Sequence, residues 1–211
     1  MKKTILLLVG IILVYCILTW LRLEYVMTLE NVSVIYEDLL ENNKSVTVES
    51  LYEQAHQFAF VSLIIAVLSA LIKVLFFALV VYVGYYLFVK QSFLDIIKAT
   101  VVAETVNVLS NLTAVVNLIW FNPPTSLLDM SVAPFSLASF FDINKLDQWM
   151  VTPLSAVNIF EVLYILVLSY VLSKNLKQSF GMSSKVVLCS YGLVTLLYIV
   201  GLTLFNVYAT K

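Results

Sequence analysis

The sequence predicts an all-α protein, a polytopic transmembrane helix bundle with five spans, from three observations. Five long apolar stretches, separated by short polar segments, cover residues 5–21, 58–89, 99–120, 156–172 and 186–205. Each reaches or approaches the roughly 17–25 residues that a helix needs to cross a bilayer. The chain is 62% hydrophobic and 12% charged, whereas a soluble domain carries about 45–50% apolar and about 25% charged residues. The third observation is the alternating charge of the polar segments.

Three of the polar segments are basic and two are acidic. The basic ones, which include Asp95 as their one acid, contain Lys2, Lys3, Lys90, Lys98, Lys174, Lys177 and Lys185. The acidic ones contain Glu24, Glu30, Glu37, Asp38, Glu41, Glu49 and Glu53 against Lys44, and Asp129, Asp142 and Asp147 against Lys145. Because Lys and Arg accumulate in cytoplasmic loops, the pattern predicts the N-terminus inside and the C-terminus outside.

The first apolar stretch begins after Lys2 and Lys3, as a signal peptide would. It runs to Leu21 without a small-x-small cleavage pattern. We therefore predict an uncleaved first span over residues 1–22, followed by an acidic extracytoplasmic segment over 23–57.

The second stretch is longer than one bilayer crossing. Counted back from Lys90 at about 1.5 Å per residue, a 30 Å core ends near Ala70. Ser50 and Glu53 have the spacing of a capping box, which predicts one helix over 50–88. The outer part of this second helix is then expected to extend beyond the membrane.

The outer segment 121–155 opens with Asn122-Pro123-Pro124, which is expected to end the third helix. Apolar residues then alternate with Ser and Asp, which indicates short amphipathic pieces at the membrane surface. Trp149 is expected to act as an interfacial anchor. In the last span, Gly192 and Gly201 are expected to permit close helix approach.

A polar stripe runs along the third span. Thr100, Glu104, Asn107 and Asn111 fall within about 60° of one another at 100° per residue. Such a stripe is costly against lipid, so it should face other helices or a wet cavity. Hydrogen bonding between helices and a hydrophilic path or ligand pocket are both consistent with it.

Two charged residues lie at similar predicted depths in other spans. Lys73 precedes Lys90 by 17 residues and Glu161 precedes Lys174 by 13, so their depths differ by about 6 Å at 1.5 Å per residue. A lysine stem can bridge that distance. We expect Lys73 and Glu161 to pair or to share a polar cavity with Asn158. The alternative is that Lys73 snorkels outward while Glu161 is hydrogen-bonded or protonated.

Motifs for several kinds of chemistry are missing from the sequence. His56 is the one histidine, no Cys-x-x-Cys occurs, and the five glycines form no phosphate loop. No nucleophile elbow is present. No basic block suggests a nucleic-acid surface, and Cys16 and Cys189 suggest no disulfide framework. We expect neither catalysis nor a metal site nor a cofactor.

From about residue 58 onward, the order of four short stretches resembles a known family. They are GYYLF at 84–88, QSFLDIIK at 91–98, PFSLASF at 134–140 and VNIFEVLY at 157–164, the last followed by SSKV at 183–186. This order is similar to that of the Yip (Ypt-interacting protein) family of five-span membrane proteins, in its bacterial form. The resemblance implies a four-span Yip-like membrane domain over residues 58–211, a helical bundle, and no catalytic residue.

The functional hypotheses follow from the membrane class and the resemblance. The first is a non-enzymatic adaptor or accessory protein of the bacterial cytoplasmic (inner) membrane, with an ABC-type exporter or a second copy of itself as partner. The second is a small permease or ion-conducting bundle that uses the seven intramembrane polar residues Lys73, Thr100, Glu104, Asn107, Asn111, Asn158 and Glu161. A bilayer-remodelling protein is a third.

Overall fold

The chain folds into a bundle of α-helices, and the predicted all-α class is confirmed. The structure is a computed structural model that describes residues 2–37, 40, 46–86 and 91–209. In these ranges the only strand-like pairing is one bridge between Ser136 and Asn158. Asp38, Glu41, Lys44 and Lys90, used above in the charge argument, lie outside the described residues.

Nine helical segments of the described residues organise the fold. Three contain a π-helical turn, at Arg22–Val26, Asn117–Phe121 and Leu188–Gly192. In chain order the helices are α1 (Lys2–Val26), α2 (Leu29–Ile35), α3 (Val48–Gln57), α4 (Ala59–Tyr86), α5 (Phe93–Phe121), α6 (Leu127–Ser131), α7 (Gln148–Ala156), α8 (Ile159–Asn175) and α9, which runs from Phe180–Val187 through the π turn to Leu193–Ala209.

Four helices of the described chain are long and apolar enough to cross a membrane, by length and composition: α1, α4, α5 and α9. The fourth apolar stretch of the sequence forms α8, which has 17 residues. At 1.5 Å per residue α8 is about 25 Å long, somewhat short of a 30 Å hydrocarbon core. The structure therefore describes a multi-pass membrane protein with four clear candidate spans and a fifth, shorter apolar helix.

The helix α5 lies at the centre of the bundle, with α8, α1 and α4 packed around it. Its buried Ala99 and Ala103 are one helical turn apart and have no exposed surface. Small residues at this spacing let neighbouring helices approach closely. Tyr164 and Leu168 of α8 fill the adjoining core and are also fully buried.

The first helix is a member of this bundle. It packs along both α4 and α5, and Ile11 joins Val74 and Val101 in a small apolar cluster. The helix continues beyond the predicted boundary at residue 22, through the π turn to Val26. The family resemblance begins only at about residue 58 and so says nothing about this helix, whereas tertiary packing makes α1 one wall of the polar interior.

The single helix predicted over 50–88 is wrong. Thr47, not Ser50, is the N-cap. Its hydroxyl accepts a hydrogen bond from the Ser50 backbone N–H, and the Ser50 hydroxyl accepts one from the Thr47 backbone N–H. The helix α3 ends at Gln57, and α4 starts after the turn at Phe58. Since α3 packs mainly against α2, the helices Leu29–Ile35 and Val48–Gln57 form a pair beyond α1, and α3 is not a straight extension of α4.

The outer segment begins where α5 ends, at Asn122, as the Asn-Pro-Pro motif predicted. Ser126 and Asp129 then form a capping box at the start of α6. The segment returns to the bundle at the start of α8, where the Leu137 N–H donates to the Val157 carbonyl at 2.9 Å. This contact holds residues 134–141 against the entrance of α8.

Close helix approach depends on a glycine that the sequence reasoning did not single out. A Cβ on Gly84 of α4 would lie 2.8 Å from the Cβ of Ser190 in α9, which is closer than real side chains pack. No atom of the described residues lies within 4 Å of such a Cβ on Gly201, and Gly192 would meet only Leu188, in its own helix. The predicted role of Gly192 and Gly201 is therefore wrong, and Gly84 has that role.

Candidate polar seam and cavity

Glu104 is the centre of the polar interior and has no exposed surface. Its Oε1 accepts a hydrogen bond from the Tyr15 hydroxyl of α1 at 2.7 Å and lies 3.3 Å from Nζ of Lys73 in α4. Its Oε2 accepts from Nδ2 of Asn107 at 2.9 Å. Both carboxylate oxygens therefore have partners, and these partners come from the three helices α1, α4 and α5.

The predicted stripe on α5 splits into different roles. Asn107 contacts Glu104, while Nδ2 of Asn111 donates to the Asn107 carbonyl at 2.9 Å. The Thr100 hydroxyl donates to the Ile96 carbonyl of the same helix at 3.0 Å, and its side chain is fully buried. Glu104 thus makes the contacts of the stripe with other helices, whereas Thr100, Asn107 and Asn111 form hydrogen bonds within α5.

Lys73 lies between two cavities. On one side it shares a cavity of about 270 Å³ with Tyr15, Thr19 and Asn111. On the other side it lines a cavity of about 390 Å³ together with Glu161 and Asn158. Its side chain is 37% exposed, so Lys73 pairs with Glu104 and is still accessible from the cavities.

Glu161 lies in the first turn of α8, where the local sequence fixes its position. The Asn158 side chain caps the helix by accepting from the Glu161 backbone N–H at 2.9 Å. The Glu161 carboxylate accepts from the Tyr191 hydroxyl of α9 at 2.5 Å through Oε1. Within the described ranges of the chain, Oε2 of Glu161 has no hydrogen-bond donor.

The direct ion pair predicted between Lys73 and Glu161 does not form. Lys73 pairs with Glu104, which is on the neighbouring helix α5, and Glu161 pairs with Tyr191. The reason is helix order: α4 packs along α5, whereas α8 contacts mainly α5 and α9. The alternative expectation is a shared polar cavity. It agrees with the structure, since Lys73, Asn158 and Glu161 line one cavity.

The walls of that cavity are largely aromatic. Phe76 and Phe77 of α4 line it together with Tyr191 and Tyr198 of α9. The rings of Phe77 and Tyr191 meet edge to face, with centroids 4.7 Å apart, and Tyr191 also packs on Tyr164 at 5.0 Å. Tyr198 is 65% exposed, so the cavity opens toward the outside of the bundle near this residue.

Three contributing residues were missed at the sequence level: Tyr15, Phe77 and Tyr191. Each looked like an ordinary aromatic residue of an apolar span. A signal did exist for the tyrosines, because a phenol at mid-span needs a hydrogen-bond partner in the absence of water. Which acceptor each phenol uses depends on the neighbouring helix.

A further cavity of about 460 Å³ lies under the outer segment, away from the polar seam. Its carboxylate, Asp129, accepts hydrogen bonds from Thr125 and Ser126. Burial by itself would raise the pKa of Asp129, but these hydrogen bonds together lower the pKa below its ordinary value. Because the carboxylate is already satisfied inside the capping box, it is a structural element of the segment.

Within the described residues, no group of three or more His, Cys, Asp or Glu side chains is placed to hold a metal ion. Neither a protein-family model, nor a curated protein, nor a solved structure matches this chain. Two features of the interior bear on function: the polar seam, defined as Tyr15, Lys73, Glu104 and Asn107, and the aromatic cavity beside it.

Proposed function

We propose that this chain is a non-enzymatic accessory protein of the bacterial cytoplasmic membrane, built from five spans. Its polar interior would hold the helices in one arrangement, and its outward surface would contact a membrane-protein partner. The partner we propose is an ABC-type exporter or a second copy of the chain, in line with the resemblance to bacterial Yip proteins.

The observation that carries the proposal is that Glu104 is fully buried and that both of its carboxylate oxygens have partners. A carboxylate with no exposure and with both oxygens engaged has little capacity left to bind an ion or activate water. Its contacts with Tyr15 of α1 and Lys73 of α4 instead tie α5 to both neighbouring helices. Polar groups used in this way stabilise a bundle, each by about 0.6–2 kcal/mol in a membrane.

The outward surface supports a role inside the membrane. Large apolar side chains with about half or more of their surface exposed lie along α1, α4 and α9, for example Leu6, Phe60 and Leu197. Such a surface is compatible with lipid and equally with the apolar face of a partner span. Charge complementarity would come from the acidic segment 23–57.

Five spans require α8 to cross the membrane despite its 17 residues. Its packing along α5 and α9 supports this, because both neighbours are candidate spans. Lys174 and Lys177 at one end, and the acidic outer segment at the other, favour the N-terminus inside and the C-terminus outside. A C-terminal reporter that is active only in the cytoplasm should be silent in this orientation, and a strong signal would exclude it.

The experiment for the accessory role is mild-detergent co-purification of the tagged protein from its native membrane at native expression. We expect one stoichiometric membrane-protein partner, or a discrete homo-oligomer by crosslinking in the intact membrane. Glu104→Ala, which loosens the bundle, should reduce recovery, whereas Asp147→Asn, at an exposed acid outside the segment 23–57, should not. Clean monomers in both assays would contradict the proposal.

The aromatic cavity favours a second candidate, a small permease. It places an ammonium and a carboxylate beside an apolar chamber that opens near an exposed tyrosine. Purified protein reconstituted in liposomes would then move a solute or collapse an ion gradient. Flux that Glu161→Gln abolishes would favour the permease, while tight liposomes together with a co-purified partner would favour the accessory role.

A further inference from the structure

The aromatic cavity has the features of a ligand site. Its volume of about 390 Å³ lies in the range of roughly 300–1,000 Å³ that is typical of small-molecule pockets. Aromatic walls surround a small number of polar groups, and the rim at Tyr198 gives access from outside the bundle.

The charges around the cavity are unevenly matched. Lys73 and Glu161 are the two charged residues that line it. The ammonium of Lys73 already has a carboxylate partner in Glu104, so one positive charge is shared by two acids. Glu161 has the Tyr191 hydroxyl on Oε1 and, within the part of the chain that the structure describes, no donor on Oε2. Of the acids that share Lys73, Glu161 is therefore the one without a direct ion pair among the described residues.

The aromatic rings strengthen the same preference. A cation is attracted to the face of an aromatic ring within about 6 Å of its centroid. Phe77 and Tyr191 pack edge to face on one side of the cavity, and Phe76 and Tyr198 complete the wall. An anion would meet the Glu161 carboxylate, and Lys73 would reach it only by sharing its contact with Glu104.

We propose that this cavity binds a hydrophobic organic cation, with the charge beside Glu161 and the apolar groups against Phe77 and Tyr198. The class comprises aryl- or alkyl-substituted ammonium and phosphonium ions. The site goes beyond the accessory role, because a ligand held here would be bound whether or not it is transported. Its test measures binding, so a negative result leaves the co-purification experiment unaffected.

The experiment uses the full-length protein in lipid nanodiscs and two probes of nearly the same shape and opposite charge. Tetraphenylphosphonium should bind saturably to one site, after subtraction of binding to empty nanodiscs. Tetraphenylborate should show no saturable component. The reverse preference would assign the cavity to anions through Lys73, and the absence of saturation by either probe would leave it a lipid-filled gap; both results overturn the proposal.

Matched variants locate the site. Glu161→Gln retains an acceptor for Tyr191 but removes the charge, and we expect it to weaken phosphonium binding at least about tenfold. Glu49→Gln, another first-turn carboxylate but on the exposed surface of α3, should bind as the wild type does.

Phe77→Leu should weaken binding several-fold, whereas Phe60→Leu on the exposed part of the same helix should not. Equal affinity for Glu161→Gln and wild type would exclude Glu161.

A measurement on the wild-type protein keeps the proposal testable if Glu161→Gln does not fold. Dicyclohexylcarbodiimide converts accessible carboxyls in apolar sites to N-acylureas, which peptide mass spectrometry can assign. We expect labelling at Glu161 and little at the enclosed Glu104. Saturating tetraphenylphosphonium should slow labelling of Glu161, and an unchanged rate would place the cation elsewhere.

Discussion

Two carboxylates of the same bundle have opposite surroundings. Glu104 lies where α1, α4 and α5 meet, has no exposed surface, and has both oxygens engaged by Tyr15, Lys73 and Asn107. Glu161 lies at the start of α8, takes one hydrogen bond from Tyr191, and faces a cavity.

This difference separates a structural role from a binding role. Both residues are acids inside apolar spans, and the sequence alone treats them as equivalent functional candidates. A buried acid whose acceptor capacity is used up holds its neighbours together, whereas one with free capacity beside a cavity can accept a ligand. Substitutions at the two acids and at their neighbours should therefore differ in their effects, most of all in stability.

Removal of Glu104 should cost the most stability. In Glu104→Ala, Lys73 loses its ion pair, and Tyr15 and Asn107 lose their acceptor. We expect the free energy of unfolding to fall by about 3 kcal/mol, at the low end of the cost of breaking a buried pair, because Lys73 is partly exposed. Denaturant titration in mixed micelles would measure it.

The matched change at the second acid is Glu161→Ala. We expect its free energy of unfolding to fall by less than about 1 kcal/mol, since the cavity can admit water or lipid to the vacated space. Glu104→Gln should be milder than Glu104→Ala because the amide keeps an acceptor. If the two alanine variants lose the same stability, the contrast between the two acids is wrong.

The second effect concerns the wall of the cavity. Gly84→Ala would place a methyl group 2.8 Å from the Ser190 Cβ, so α9 must move away from α4. We expect a loss of about 1–2 kcal/mol, typical of overpacking. The variant should also weaken phosphonium binding, because Tyr191 and Tyr198 move with α9.

Gly201→Ala is the control for this change. Nothing lies within 4 Å of the added methyl group in the described structure, so the gain in helix propensity should leave stability equal or higher by up to about 1 kcal/mol. Equal losses for the two glycines would show that the contact between Gly84 and Ser190 is not close.

The third effect compares the phenols that serve the two acids. Tyr15→Phe removes a donor at 2.7 Å from Glu104 and should cost about 1 kcal/mol, between the values for charged acceptors in water and for polar pairs in membranes. Tyr191→Phe should cost less, because Glu161 can take its hydrogen bond from within the cavity. Double-mutant cycles with Glu104→Gln and Glu161→Gln would measure the two couplings, and a larger coupling for Tyr191 would reverse the assignment of roles.

The smallest effect lies outside the membrane, at Asp129. Its pKa is below the ordinary value of 3.8, so the stabilisation it gives is present above that pH and is lost as the pH falls through the lower pKa of the folded state. Carboxyl-carbon NMR of labelled protein should show this depressed midpoint. Thr125→Val, which removes one hydroxyl donor, should raise the midpoint, and an unchanged midpoint would remove Thr125 as a cause.

Much of the local structure could be predicted from sequence. The end of α5 at Asn122 follows from the two prolines that come next. The common face of Glu104 and Asn107 follows from helical periodicity, which depends on neighbours three or four residues away. The break at Phe58 could not be predicted in this way, because neither proline nor glycine lies near it and the two helices diverge where α3 packs on α2.

The sequence by itself determined that the protein is all-α, that most of its surface is apolar, and which polar residues had to be shielded from lipid. These properties depend on composition and on the short-range geometry of a helix. Only the tertiary structure decided that Lys73 pairs with Glu104, that Glu161 pairs with Tyr191, and that Tyr15 brings the first helix into the polar seam. The physical reason is that periodicity fixes the inward face of each helix but not which neighbour lies against it, and a long side chain bonds to the nearest partner that packing provides.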